Sequence, residues 1–329
     1  MRIAFAPLLA ALALLSTTAA AQDANDPADA HIAAAKAAAG DDFQNLFNFQ
    51  CYGPGPGGPR VAAGRQPGQG RGRAGQRPLG PPDRSTWHAE PVKVFDNLYF
   101  FGQTEYSVWA IATSQGIIVL DTIFDYSVED EVADGMKKMG LDPATIKYAI
   151  VSHAHPDHDG GARFLQEHYG TRVIMAPADW DVLDKRTFGT KPKRDIEAAD
   201  GQKLTLGDTT VTIYFTPGHT PGTISSVFPV RDHGTTHIAA LWGGVGLNQD
   251  VASVQKYIAS AERFREIVKQ AGADIILTNH TDWDRSKINL PMLAKGASGP
   301  NPYIVGSAKV LNFMKVVEEC ATARLKEAN

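Results

Sequence analysis

A chain of 329 residues with 43% hydrophobic side chains has ample apolar material for one large core. Its formal net charge of −4 argues against a general nucleic-acid binder, and no segment after the N-terminus is long and apolar enough for a transmembrane helix or membrane anchor. The two cysteines, Cys51 and Cys320, either pair in an oxidising compartment or remain free thiols; the sequence leaves both open.

The N-terminus reads as an export signal over residues 1–21. Arg2 gives a positive start, residues 4–15 form an apolar run too short to span a bilayer, and Ala19-Ala20-Ala21 precede Gln22 as a small-residue cleavage site. A periplasmic or secreted bacterial protein is the expectation. Residues 22–52 form an N-terminal extension with an Ala-rich helical stretch (28–39) and an aromatic run (43–49) that is expected to fold over a cleft mouth. Residues 53–85 are Gly, Pro, Arg and Gln with little to bury, hence a linker. Its arginines, from Arg60 to Arg84, fit a solvated spacer better than a nucleic-acid tail.

Residues 86–329 show the pattern of one globular domain. Strands are predicted at 92–101, 108–112, 116–121, 148–151, 172–175, 203–206, 210–216, 224–230, 237–241 and 274–278. Helices are predicted at 128–139, 161–168, around Trp180, 251–270 and 306–325. Antiparallel meanders mixed with βα units imply sheets covered by helices on their outer faces, an α/β class.

The apolar run 148–151 leads directly into Ser152-His153-Ala154-His155-Pro156-Asp157-His158-Asp159-Gly160-Gly161. Neutral imidazole and carboxylate are the donors that a borderline ion such as Zn²⁺ prefers. Four of them within six residues are more than one tetrahedral ion readily collects from so short a loop, so the segment predicts two adjacent ions. His219 lies in Pro217-Gly218-His219-Thr220-Pro221-Gly222 after one strand, and His280 ends another. Every donor thus follows a strand end, where a rigid scaffold can aim side chains into one cleft. His31, His88, His168, His233 and His237 lack ligand-like neighbours and read as structural or surface residues.

This set of motifs, covering the chain from about residue 88 onward, resembles the metallo-β-lactamase superfamily. The resemblance implies a four-layer αβ/βα sandwich with a di-metal site at the edge of its two sheets. It implies two Zn²⁺ per chain, the first held by His153, His155 and His219, the second by Asp157, His158 and His280. Asp121 matches an aspartate that orients a ligand instead of binding metal. No other cofactor is expected.

Two zinc ions about 3.5–4 Å apart lower the pKa of a bridging water to near 7 and polarise a carbonyl. Asp157 would orient that nucleophile and accept its proton, which makes it the expected catalytic residue. Superfamily members resembling lactonases and glyoxalases carry a bridging aspartate, yet the segment Trp242-Gly243-Gly244-Val245-Gly246-Leu247-Asn248 has no carboxylate. No cysteine stands at a ligand position, and Asn301-Pro302-Tyr303 is similar to the Asn-Pro-Phe of the third subclass of class B β-lactamases. The chain departs from that subclass in its glycine-rich 243–246 segment and in lacking a cysteine near Ala273. Trp283, just after the sixth donor, reads as a packed residue first and a pocket residue second.

The expected function is therefore an exported di-zinc hydrolase that opens a cyclic amide, a β-lactam, with a small molecule as its partner. A lactonase or general esterase of the same fold is the second reading. A nuclease is disfavoured by the negative charge, and a non-catalytic exported metal-binding protein by the intact set of donors.

Overall fold

The computed structural model describes residues 27–53, 81–296 and 298–327. The export signal expected over 1–21 and most of the linker lie outside the described residues. Helices α1 (Pro27–Ala39) and α2 (Gln44–Tyr52) come first. The first sheet contains β1 (Val92–Lys93), β2 (Leu98–Gly102), β3 (Ser107–Thr113), β4 (Gly116–Leu120), β5 (Ile146–Ile150), β6 (Arg172–Met175) and β7 (Ile196–Glu197), side by side in chain order. Neighbours are antiparallel up to β4 and parallel from β4 to β7. The parallel strands require crossovers. These are supplied by α3 (Gly135–Lys138), by α4 (Pro156–Asp159) with α5 (Ala162–Tyr169), and by α6 (Pro177–Lys185).

The second sheet contains β8 (Lys203–Leu206), β9 (Thr209–Phe215), β10 (Ile224–Asp232), β11 (Thr235–Trp242) and β12 (Ile275–Thr278). Its spatial order is β12-β11-β10-β9-β8, with α7 (Val251–Ala271) making the crossover to the parallel β12. Helices α8 (Ser286–Ala294) and α9 (Ser307–Glu327) follow.

The period-two geometry of the strands divides their side chains among three cores. On β4, Ile118 and Leu120 point between the sheets, while Ile117 and Val119 point to the helices on the other face. On β11, Ala239 and Leu241 join the inter-sheet core, and Ala240 and Trp242 meet the helices behind the second sheet. Both faces of each sheet are covered, which is why these strands read as continuous apolar runs. The result is the four-layer αβ/βα sandwich. Each fully buried Leu, Ile or Val contributes roughly 1.5–3 kcal/mol relative to exposure. Among the described residues no helix is long and apolar enough to cross a membrane.

Some elements differ from expectation. The strand predicted over 92–101 is two strands, because Asn97 turns the chain and accepts a hydrogen bond from Arg231 N at 2.8 Å. Helix α8 was not anticipated, since Pro291 lies inside it. The end of the linker is ordered: Asp83 caps a short 3₁₀ turn (Arg84–Thr86) by accepting from Ser85 N at 2.9 Å. The aromatic run is not a cover over a cleft but helix α2, packed into the outer layer with Leu46, Phe47 and Cys51 buried. Phe43 meets Phe313 edge-on at 5.4 Å, and Phe49 stacks on the buried Trp283 at 4.4 Å. Burying these rings against α9 removes more apolar surface from water than a flap in solvent would. Cys51 and Cys320 form a disulfide between α2 and α9, which answers the question the sequence left open.

Candidate metal centre

The chain leaves β5 at Ile150 and turns through His153 and His155 into α4. Pro156 opens that helix, where its missing N–H costs nothing, and Asp157 and His158 occupy the same turn. His219 follows β9 and His280 follows β12. Backbone bonds tie the two sheets together at this edge: Ser107 N donates to Asn279 O at 3.0 Å, and Ile224 N to Ser152 O at 2.8 Å. All six expected donors consequently meet in one place.

They meet as two groups of three, His153 with His155 and His219, and Asp157 with His158 and His280, the donor atoms of each within 4.8 Å of one another. In the first, His219 Nε2 lies 3.1 Å from His153 Nε2 and 3.2 Å from His155 Nδ1. Ligands at a Zn–N distance of about 2.0–2.1 Å in a tetrahedron stand about 3.3 Å apart, so the spacing suits one ion. In the second, Asp157 Oδ2 lies 3.2 Å from His158 Nε2 and 3.8 Å from His280 Nε2. His158 Nε2 is buried and, despite that proximity, has no hydrogen-bond partner. A buried imidazole nitrogen without a partner is costly unless something binds it. Donor type, spacing and this orphaned atom all fit metal ions.

The opposite ring nitrogens are held by fixed acceptors. His153 Nδ1 donates to Gly243 O at 2.9 Å, and His219 Nδ1 to Gly246 O at 2.7 Å. His158 Nδ1 donates to Asp121 Oδ2 at 2.9 Å. Each contact leaves Nε2 free to face the centre. Asp121 is buried at a backbone φ of 63°, and its other oxygen accepts from Ser152 N at 2.6 Å. It orients a member of the cluster and joins neither group. The glycines of the 243–246 segment have a steric reason: a Cβ on Gly244 would come within 2.7 Å of His219 Cβ, and one on Gly246 within 2.9 Å of His219 Cε1. A side chain at either position would crowd the His219 imidazole.

The electrostatics set His158 apart from the other four imidazoles. Burial drives the pKa of His219 and of His280 down to about 3 and lowers those of His153 and His155, with repulsion between the imidazoles adding to the effect. Burial also opposes the charge on His158, but Asp157 and Asp121 outweigh it and hold its pKa up at about 10. Burial would raise Asp157, yet the neighbouring imidazoles, His158 foremost, pull it well below the usual carboxylate range. Four imidazoles, His280 of the second group among them, are thus held neutral around one cation, His158, flanked by two carboxylates.

Several contributors were not visible in the sequence. Asp179 on α6 is fully buried and accepts from Ala154 N at 2.8 Å, Thr220 Oγ1 at 2.7 Å and Gly222 N at 2.7 Å, joining the two histidine loops. Asp159 pairs with Arg186 through two bonds of 2.7 and 2.8 Å and anchors the far end of α4. Asn279 donates to Gly243 O at 2.8 Å beside His153. Nothing local distinguishes Asp179 from Asp181 and Asp184 in the same helix. Other histidines stay apart from the two groups: His31 pairs with Glu319 at 2.6 Å, His88 with Glu131 at 2.7 Å and His237 with Asp274 at 2.6 Å. Asn301 and Tyr303 act structurally, the first donating to Val94 O at 2.6 Å and the second to Ser286 Oγ at 2.9 Å.

Residues 102–233 match the family described as the metallo-beta-lactamase superfamily. The matched segment contains His153, His155, Asp157, His158 and His219. Among solved structures it is similar to BJP-1, a subclass B3 metallo-beta-lactamase of Bradyrhizobium japonicum, at 26% identity and TM-score 0.59, covering 71% of this chain and 92% of that one. The native FEZ-1 metallo-beta-lactamase from Legionella gormanii, 24% identical with TM-score 0.63, shares the fold over 73% of this chain and 98% of its own. The N-acyl homoserine lactonase AttM of Azorhizobium caulinodans is 26% identical over 186 residues, half of this chain and 70% of that protein. A hydroxyacylglutathione hydrolase of Gloeothece citriformis matches at 28% over 107 residues, 32% of this chain and 38% of that protein. The chain is thus similar to proteins named as hydrolases, and its donor groups stand at the strand ends of its two sheets.

Proposed function

We propose that this protein is an exported di-zinc hydrolase that opens the amide of a β-lactam. The observation that carries the reading is the pair of three-residue donor groups with no carboxylate in the 243–248 segment beside them. His153, His155 and His219 would hold one ion, and Asp157, His158 and His280 the other. Bound zinc would supply Lewis acidity and a water of lowered pKa. The chain's own residues do the rest. Gly243 and Gly246 carbonyls and Asp121 lock the imidazoles in orientation, and Asp157 offers an ionised oxygen among the donors that can align the attacking group. Likeness to a B3 enzyme supports the cyclic-amide substrate. The Cys51–Cys320 disulfide suits an oxidising compartment and so supports export.

The similarity to a lactonase keeps ester and lactone opening as the second reading. One experiment separates them: turnover of nitrocefin, imipenem and a panel of acyl-homoserine lactones, with and without chelator, beside His153→Ala. The expected result is chelator-sensitive β-lactam hydrolysis lost in the variant by at least about 10²-fold. Lactone turnover without β-lactam turnover would transfer the reading to the alternative, and rates equal to the variant's would end both.

A further inference from the structure

The N-terminal helices lie outside the segment matched to the superfamily, yet one of them touches the loop that orients the first histidine group. Gln50, on α2 and 1% exposed, donates through Nε2 to Val245 O and, at 3.0 Å, to Tyr257 OH. Tyr257 OH in turn donates to Val245 O at 3.0 Å and accepts from Trp242 Nε1 at 3.2 Å. Val245 stands between the two carbonyls that hold the rings, Gly243 O on His153 and Gly246 O on His219. Gln50 itself is held in register by its neighbours: Leu46 and Phe47 are buried in the helical layer, and the adjacent Cys51 is bonded to Cys320. Buried polar contacts of this kind fix geometry, because any displacement leaves a donor or acceptor unpaired.

We infer that Gln50 is a positioning residue of the first metal site. It acts through Val245 to set where the Gly243 and Gly246 carbonyls aim the Nε2 atoms of His153 and His219. The inference rests on the metal-centre reading above. Partners that contact a ligand directly typically change metal affinity by 10–100-fold, so a group one bond further out should change it by about three- to tenfold.

The test uses the mature full-length protein and Gln50→Leu, which keeps the bulk and removes the donor. Zinc affinity is measured by chelator competition, the visible spectrum is taken with cobalt(II) as probe, and unfolding of the metal-free form is recorded. Expected are about three- to tenfold weaker binding of the first zinc and a changed cobalt spectrum, with the second zinc held as before. Tyr257→Phe, which removes the other donor to Val245, should act in the same direction and decides the matter if Gln50→Leu does not fold. Unchanged affinity and spectrum, with only a lower unfolding temperature, would reduce Gln50 to a packing residue. A wild-type protein that binds no zinc would instead overturn the metal-centre reading itself.

Discussion

Asp179 accepts hydrogen bonds from Ala154 N, between two histidines of one loop, and from Thr220 Oγ1 and Gly222 N, beside the histidine of another. Burial raises its pKa, and the three donors work against that rise without cancelling it. Removing the carboxylate leaves Ala154 N and Gly222 N unpaired, at about 1–3 kcal/mol each before relaxation, while Thr220 Oγ1 keeps Thr223 Oγ1 at 2.7 Å. Asp179→Ala should therefore destabilise the fold by about 3 kcal/mol and weaken zinc binding by about 10–100-fold. Denaturant unfolding and chelator competition measure the two effects. Wild-type affinity in this variant would mean that the loops hold their register independently. The case contrasts with Asp121, whose orienting role the family resemblance implied, since it ends an apolar strand at the matching position.

At the level of elements, the N-terminal helices matter through their attachment. Helix α2 is only nine residues long, too short to persist alone in water, and is ordered by packing against α9 and by the Cys51–Cys320 bond. That bond links positions 269 residues apart, and closing so long a loop restricts the unfolded chain strongly. Replacing Cys51 with serine should cost about 2–5 kcal/mol of stability. The comparison is of unfolding midpoints with the wild-type protein under oxidising and reducing conditions. The variant should match the reduced wild type, and a variant as stable as the oxidised form would show that packing alone holds α2. The loop after β11 makes a related point: its glycines exist because His219 lies against the backbone, so an inserted side chain would displace the imidazole.

For the whole molecule, the donor groups are a destabilising feature until occupied. Burial holds His219 and His280 neutral, and His158 Nε2 has no partner. An ion that binds only the folded state adds about 2.7 kcal/mol at a hundredfold excess over its Kd. Exhaustive chelation should lower the unfolding temperature reversibly, and adding zinc should restore it. An unfolding temperature indifferent to chelator would contradict the presence of a metal centre.

By itself the sequence determined an α/β class and marked six candidate donors, because strand alternation and a dense histidine loop are local signals carried by neighbouring residues; the four-layer order and the grouping of the donors in threes were implied by the family resemblance. The orienting role of Asp121 likewise followed from the resemblance. Choosing Gly243 and Gly246 as ring acceptors, and recruiting Asp179 and Gln50, were decided by the tertiary structure. Those contacts join segments from 25 to 195 residues apart, and nothing in either segment alone marks its partner. The same holds for the aromatic run: its composition announced burial, while the surface it covers was set by where α9 and Trp283 come to lie.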